Sequence, residues 1–270
     1  MVLDIVGGGG YIGKNFSNFL KYLNISHRII LRNGKKQEKK NILSFEQWLT
    51  ESSSNVCIYL ADPASIEPLE IDIFERAKKN FSLALNKESS VFIYLSSSKI
   101  YDKNIKNTIS ENSEISGKCL YTKLKVNNEK LIFNNHNENK IKSIVLRIPN
   151  LVCEFPKSKT LFYKINETNR KDICFLKGNY NFLNEFLYGI DLFEVIIKLL
   201  NSDLKNNLTF NVSPSQLTRV MDLLNPKFHY KSIPINSSKL SNKLLLSFIN
   251  HSFHLPYYSI ENNCIYWIKG

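Results

Sequence analysis

The first apolar run, Val2-Leu3-Asp4-Ile5-Val6, stops at four successive glycines, Gly7 to Gly10, and gives way to helical spacing from Ile12 to Leu23. A short apolar run bounded by turn residues predicts a buried strand, and the 3.6-residue period after it predicts a helix. A second strand is expected over Arg28 to Leu31, followed by a charged stretch and a helix around Phe45 to Leu49. Strand-length apolar runs recur at Val56 to Leu60, Val91 to Leu95 and Ile144 to Arg147. Helix-like stretches separate them, at about Leu69 to Asn86 and Leu120 to Asn134. Alternation of this kind predicts a parallel sheet with helices on both faces, a doubly wound α/β architecture.

Past Asn150 the rhythm changes. A helix is expected near Leu161 to Glu167, the segment Asn184 to Asp191 leads into a helix through Leu200, and Leu208 to Val212 reads as a strand. The expected organisation is a nucleotide-binding domain over 1–150 and a smaller lobe over 151–270 that binds substrate. Its segment 184–212 would return to the first domain.

Composition adjusts this picture little. With 43% apolar and 22% charged residues in 270, the chain can bury a sizeable core. No apolar run approaches the roughly 18 residues of a membrane span. Met1 runs directly into a strand with no basic leader, so a cytoplasmic protein without a membrane partner is expected. The five cysteines include no CxxC pair and histidine is sparse, so free thiols and no metal are expected. The net charge of +12 raises nucleic acid as a partner. Lysine is interspersed with Asn and Ile throughout, however, and its densest run, Lys35 to Lys40, falls in one loop, so no nucleic-acid partner is expected.

Chemistry enters at four places. Gly7, Gly10 and Gly13 are spaced so that the first two allow a tight turn and close backbone approach to a pyrophosphate, while the third lets helix and strand pack closely. At the end of the second strand a carboxylate would accept the ribose hydroxyls of NAD and a basic residue would face the 2′-phosphate of NADP. The chain has Arg32 there and no carboxylate, which favours NADP(H) over NAD(H). Tyr121 and Lys125 form a YxxxK pair on one helix face, where an ammonium can draw the phenol, ordinarily near pKa 10, toward neutral acid–base work. Ser96, Ser97 and Ser98 follow the strand ending at Leu95, and a hydroxyl at a strand's carboxyl end can hydrogen-bond a reacting oxygen.

Glycine motif, serine cluster with Tyr101, and YxxxK, in this order, resemble the extended short-chain dehydrogenase/reductase family of nucleotide-sugar epimerases, dehydratases and reductases, over roughly residues 2 to 212. The resemblance implies a Rossmann-like fold with a small C-terminal substrate-binding lobe. It implies Ser97, Tyr121 and Lys125 as catalytic residues, Ser97 being four residues before Tyr101. Cofactor contacts are implied at Gly7, Gly10, Tyr11, Ile12, Gly13, Arg32, Leu60, Ala61, Asp62, Asn80, Tyr121, Lys125 and Ile148. Substrate contacts are implied at Ser97, Ser98, Tyr121 and Asn150, the last in an Arg-x-x-Asn segment starting at Arg147. The segment Asn184 to Asp191 resembles the family's aromatic-apolar stretch before a helix. Two departures stand out: Asp62 replaces a small residue in the turn after the third of these parallel strands, and Leu151 to Glu154 replaces the usual segment after the substrate Asn. The implied activity is NADPH-dependent reduction of a 4-keto, 6-deoxy nucleotide sugar for surface-polysaccharide precursors. A 4-epimerase retaining NAD and a catalytically silent NAD(P)-binding regulator are the alternatives, and a homodimer through the YxxxK helices is the implied assembly.

Overall fold

The computed structural model describes residues 2–32, 41–52, 54–63, 69–87, 89–102, 104–105, 107–134, 141–153, 163, 165, 183–204, 207–223, 238–259 and 264–269. The Lys35 to Lys40 loop, Glu154 and all of the expected Leu161 to Glu167 helix except Tyr163 and Ile165 lie outside them. Along the chain the elements run β1 (Leu3–Val6), α1 (Tyr11–Tyr22), β2 (His27–Leu31), β3 (Ile42–Ser44), α2 (Phe45–Thr50), β4 (Val56–Tyr59), α3 (Ile71–Leu85), β5 (Val91–Ser97), α4 (Leu120–Asn134) and β6 (Lys142–Ile148). They continue with β7 (Asn150–Val152), β8 (Leu183–Asn184), β9 (Phe186–Tyr188), α5 (Gly189–Leu200), β10 (Leu208–Asn211), β11 (Thr218–Arg219), α6 (Lys243–Phe248), β12 (His254–Ser259) and β13 (Cys264–Lys269).

Two compact units divide these elements. The first takes 1–102, 114–147 and 201–210, and the second takes 103–113, 148–200 and 211–270. A seven-stranded sheet ordered β10-β6-β5-β4-β1-β2-β3 forms the frame of the first. β1 pairs in parallel with β2 and β4, β2 with β3, and β4 with β5. Every residue of β1 and β4 is buried, which is why β4 reads as a continuous apolar run without alternation and β1 does so apart from Asp4. The fold is the Rossmann-like α/β sheet expected from the sequence. The strand order reverses between β1 and β4, and open α/β sheets bind ligands in the crevice at that switch point.

A cluster of rings, Tyr59, Phe81, Phe92 and Tyr94, fills the space between β4, β5 and α3, with centroid separations of 5.0 to 6.3 Å. The one carboxylate of β1, Asp4, is buried but fully engaged. It accepts bonds from Arg28 Nε at 2.6 Å and Nη2 at 2.8 Å, and from Trp48 Nε1 at 2.7 Å. Burial pushes this carboxyl up, but the hydrogen bonds from Arg28, Trp48 and Ser54 and the Arg28 charge outweigh that push and hold it below its ordinary value.

The second unit contains the parallel pair β7 and β9 and the antiparallel pairs β8 with β11 and β12 with β13. Val152, Ile165, Phe186, Val220 and Leu223 form its core, with Ile265 and Trp267 packed against it. Asp191, on α5, is buried and receives the His254 backbone N–H at 2.8 Å, with His254 Nδ1 at 2.7 Å, which ties β12 to α5.

Glu185 is also buried in this unit, and it accepts from Ser213 Oγ and from the Leu240 N–H, each at 2.8 Å. Burial pushes its carboxyl up to about 7, against the downward pull of those bonds and of the Lys239 charge. The folded chain therefore holds a proton that the unfolded chain releases near pH 4.5, so this contribution is complete below that pH and is lost as pH rises through about 7. Glu185→Gln, which mimics the protonated carboxyl, should gain stability relative to the wild type between pH 5 and pH 8, by up to about 3 kcal/mol. Urea unfolding of both proteins across that range checks it. A difference that stays constant with pH would rule the account out.

Among the described residues no helix is long and apolar enough to cross a membrane.

Candidate active site

The glycine turn joins β1 to α1. Gly7 has φ +88, a left-handed conformation that L side chains rarely adopt, and a Cβ there would lie 2.7 Å from Ala61 Cα. A Cβ at Gly13 would lie 2.5 Å from Gly8 Cα, so helix and turn meet at backbone distance. Gly10 is the N-cap of α1 and makes no side-chain cap bond to the first turn. Such an uncapped N-terminus attracts anions through its N–H groups and the helix dipole. The cradle therefore fits a pyrophosphate, and two of its three motif glycines stand where any side chain would collide.

Leu60, Ala61 and Asp62 leave the carboxyl end of β4 beside this turn. The Leu60 N–H donates to Val6 O at 2.8 Å, and Arg32 Nη2 donates to Ala61 O at 3.1 Å, which anchors the guanidinium at the ends of β2 and β4. Asn80 is half-buried on α3.

On α4, Thr122 caps the first turn: its Oγ1 accepts the Cys119 N–H at 3.1 Å and donates to Cys119 O at 3.0 Å. Tyr121 is thereby fixed at the start of the helix, half-buried, and Lys125 follows one turn later with its Nζ 5.8 Å from the Tyr121 ring centre. The Lys125 ammonium donates to Asp62 Oδ2 at 2.9 Å and to Leu95 O at 2.6 Å. Burial would lower the Lys125 pKa, but the charge of Asp62, its hydrogen bond, and Tyr121 and Glu129 raise it above the ordinary value. Ser97, at the carboxyl end of β5, is buried, and its Oγ accepts the Lys99 N–H at 3.2 Å, which leaves the hydroxyl proton available to a ligand. Ser98 begins the short turn that follows.

The structure thus gathers the glycine turn, Arg32, Leu60 to Asp62, Ser97, Ser98, Tyr121 and Lys125 within the first unit. Ile148 and Asn150 fall in the second unit, where Asn150 Nδ2 donates to Asn184 Oδ1 at 2.6 Å.

The bonds that Asp62 and Glu129 make in support of the site escaped the sequence reading. Asp62 is the shared acceptor of Lys125, of the Tyr94 hydroxyl at 2.6 Å and of Asn128 Nδ2 at 3.4 Å. Glu129 accepts Ser96 Oγ at 2.5 Å and Arg147 Nη2 at 2.7 Å, while Arg147 Nη1 donates to the Tyr101 hydroxyl at 2.9 Å. Their signal in the sequence is a run of polar residues, Thr122, Lys125, Asn128 and Glu129, on what proves to be the buried face of α4.

Residues 4–213 match the model of the NAD dependent epimerase/dehydratase family. The chain belongs to that family. It is an enzyme of the epimerase/dehydratase type, and its glycine turn, serine turn and YxxxK helix all lie within the matched span. No curated protein sequence matches it. Solved structures similar to it include MoeE5 in complex with UDP-glucuronic acid and NAD, at TM-score 0.75 and 13% identity over 92% of each chain. A UDP-glucose 4-epimerase with UDP-glucose from Thermotoga maritima superposes at TM-score 0.73 and 18% identity, again over 92% of each chain. The NAD-dependent NDP-hexosamine 5,6-dehydratase TunA gives 0.72 and 15% identity over 93% of this chain and 91% of its own. At these identities the likeness speaks for the fold.

Proposed function

We propose that the protein carries out NAD(P)-dependent oxidation–reduction at a carbon of a nucleotide sugar, and specifically that it reduces a 4-keto, 6-deoxy nucleotide sugar with NADPH. The observation that carries the reading is Tyr121 and Lys125 one turn apart on α4 at the carboxyl end of the strand bearing Ser97. The similar structures that hold UDP-sugars and NAD support the substrate and cofactor classes.

Gly7, Gly10, Tyr11, Ile12 and Gly13 would hold the pyrophosphate, Arg32 the adenosine 2′-phosphate, and Lys125 the nicotinamide ribose. The bound nicotinamide supplies the hydride. Tyr121 delivers the hydroxyl proton as the keto oxygen gains charge, and the Ser97 hydroxyl donates a hydrogen bond to that oxygen. The Lys125 ammonium lies beside the phenol, its Nζ 5.8 Å from the ring centre. Asn150 would contact the sugar. The domain that binds the dinucleotide would be 1–150, with 151–270 taking the substrate.

Arg32 separates the cofactors. Its anchored guanidinium fork suits a 2′-phosphate, so titration of the protein with NADPH and NADH should give tighter NADPH binding, and Arg32→Ala should weaken NADPH by roughly tenfold while leaving NADH within about twofold. Tightly retained NAD in the purified protein, with no response of NADPH binding to Arg32→Ala, would instead favour a 4-epimerase, the activity of the similar Thermotoga maritima enzyme.

A further inference from the structure

We propose that Asp62 is a positioning residue that takes one hydrogen-bond donor and part of the charge of Lys125 from the dinucleotide and so keeps the cofactor exchangeable. The inference rests on the dinucleotide reading above. Its starting point is a carboxylate where the family resemblance implies a small residue. Asp62 follows Ala61, whose backbone lies against the Gly7 turn, and its own side chain reaches Lys125 on α4. It therefore bridges the phosphate cradle and the YxxxK helix.

An ammonium has three N–H donors. Those of Lys125 include one engaged by Asp62 at 2.9 Å and one by Leu95 O at 2.6 Å, which leaves one for a ribose hydroxyl. The pair is buried, with side chains 7% and 4% exposed, so its charges are weakly screened. Asp62 is itself fixed by the Tyr94 hydroxyl at 2.6 Å and by Asn128, so it does not swing away to release the lysine. The groups facing the ammonium are Asp62 from the end of β4, Tyr94 and Leu95 O from β5, and Tyr121 and Glu129 from α4 itself. Asp62 acts on the dinucleotide in two ways that have the same sign. It takes a donor the ribose would use, and it cancels the positive charge that would attract an anionic ligand.

Removing the carboxylate should therefore tighten binding, the opposite of what a merely structural loss would do. The test titrates the full chain with NADPH and with NADH at pH 6.5, in the wild type, Asp62→Asn and Asp62→Ser. Asp62→Asn keeps the shape and an acceptor oxygen, and thermal melting confirms that each variant is folded. Both variants should bind on the order of tenfold more tightly at low salt, the size expected from one nearby charge, and the gain should shrink at high salt. Equal or weaker binding by the folded variants, with the wild type binding normally, overturns the proposal. Failure of the wild type to bind either dinucleotide overturns the reading beneath it.

Discussion

Tyr121→Phe should lower turnover by about a thousandfold, the central range for loss of a positioned proton donor, while leaving dinucleotide affinity within about threefold. The substitution removes only the hydroxyl. The ring that lies 5.8 Å from Lys125 Nζ stays in place, and the cap made by Thr122 holds the helix start as before. The split between turnover and binding matters because a distorted site would lose both. A drop of less than tenfold would mean that another group moves the proton, and the assignment of Tyr121 would fail. Loss of turnover in the variant of an otherwise active preparation would also dispose of the silent regulator, since such a protein has no turnover to lose.

The largest effect on stability is expected at Glu129. Its carboxylate is buried and paired with Arg147, itself buried, at 2.7 Å, and it also receives Ser96. Burial would lower the Arg147 pKa, yet the bonds and charge of Glu129, with Tyr101, raise it above its ordinary value. Glu129→Ala strands a guanidinium away from water, a change that costs about 3–5 kcal/mol. In melting temperature this is roughly 10 °C for a chain of this size. Replacing both members, Glu129→Met with Arg147→Met, removes the buried charge as well as its partner and should recover most of the loss. If the double variant is as unstable as the single one, the cost comes from lost packing rather than an unpaired charge. The pair also bears on the site, because it fixes Ser96 beside Ser97 and Tyr101 at the end of the serine turn.

The frame of the first unit was readable because its chemistry is local. A buried parallel strand is continuously apolar, and the glycines at 7 and 13 stand where a side chain would strike the backbone of Ala61 or Gly8. The YxxxK spacing follows from helix geometry alone. Most strand ends shifted by one or two residues, as at β2, which begins at His27. β3 was missed, being three residues long, although Ser44 and Gln47 beyond it form a reciprocal capping box that marks the start of α2. The hairpin of β12 and β13 was missed for a different reason. Pro256 sits within β12 and pairs with Trp267, and proline argues against a strand unless it lies at an edge. In β13, Tyr266 and Ile268 are exposed but apolar, so no alternation marks the outer face.

The active-site supports were not readable because they are long-range. Asp62 and Lys125 lie 63 positions apart, and the spacing of neither predicts the other. A carboxylate in the turn after β4 reads in the sequence as a departure from the family. In the fold it becomes the acceptor that holds Lys125.

The measurement that bears most directly on the proposed reaction follows deuterium from C4 of labelled NADPH into a 4-keto, 6-deoxy nucleotide sugar, with the wild type and Tyr121→Phe side by side. The account expects one deuteron per product molecule from the wild type and a label appearing about a thousandfold more slowly from the variant. Consumption of the sugar without transfer of label, or equal rates for the two proteins, would contradict it.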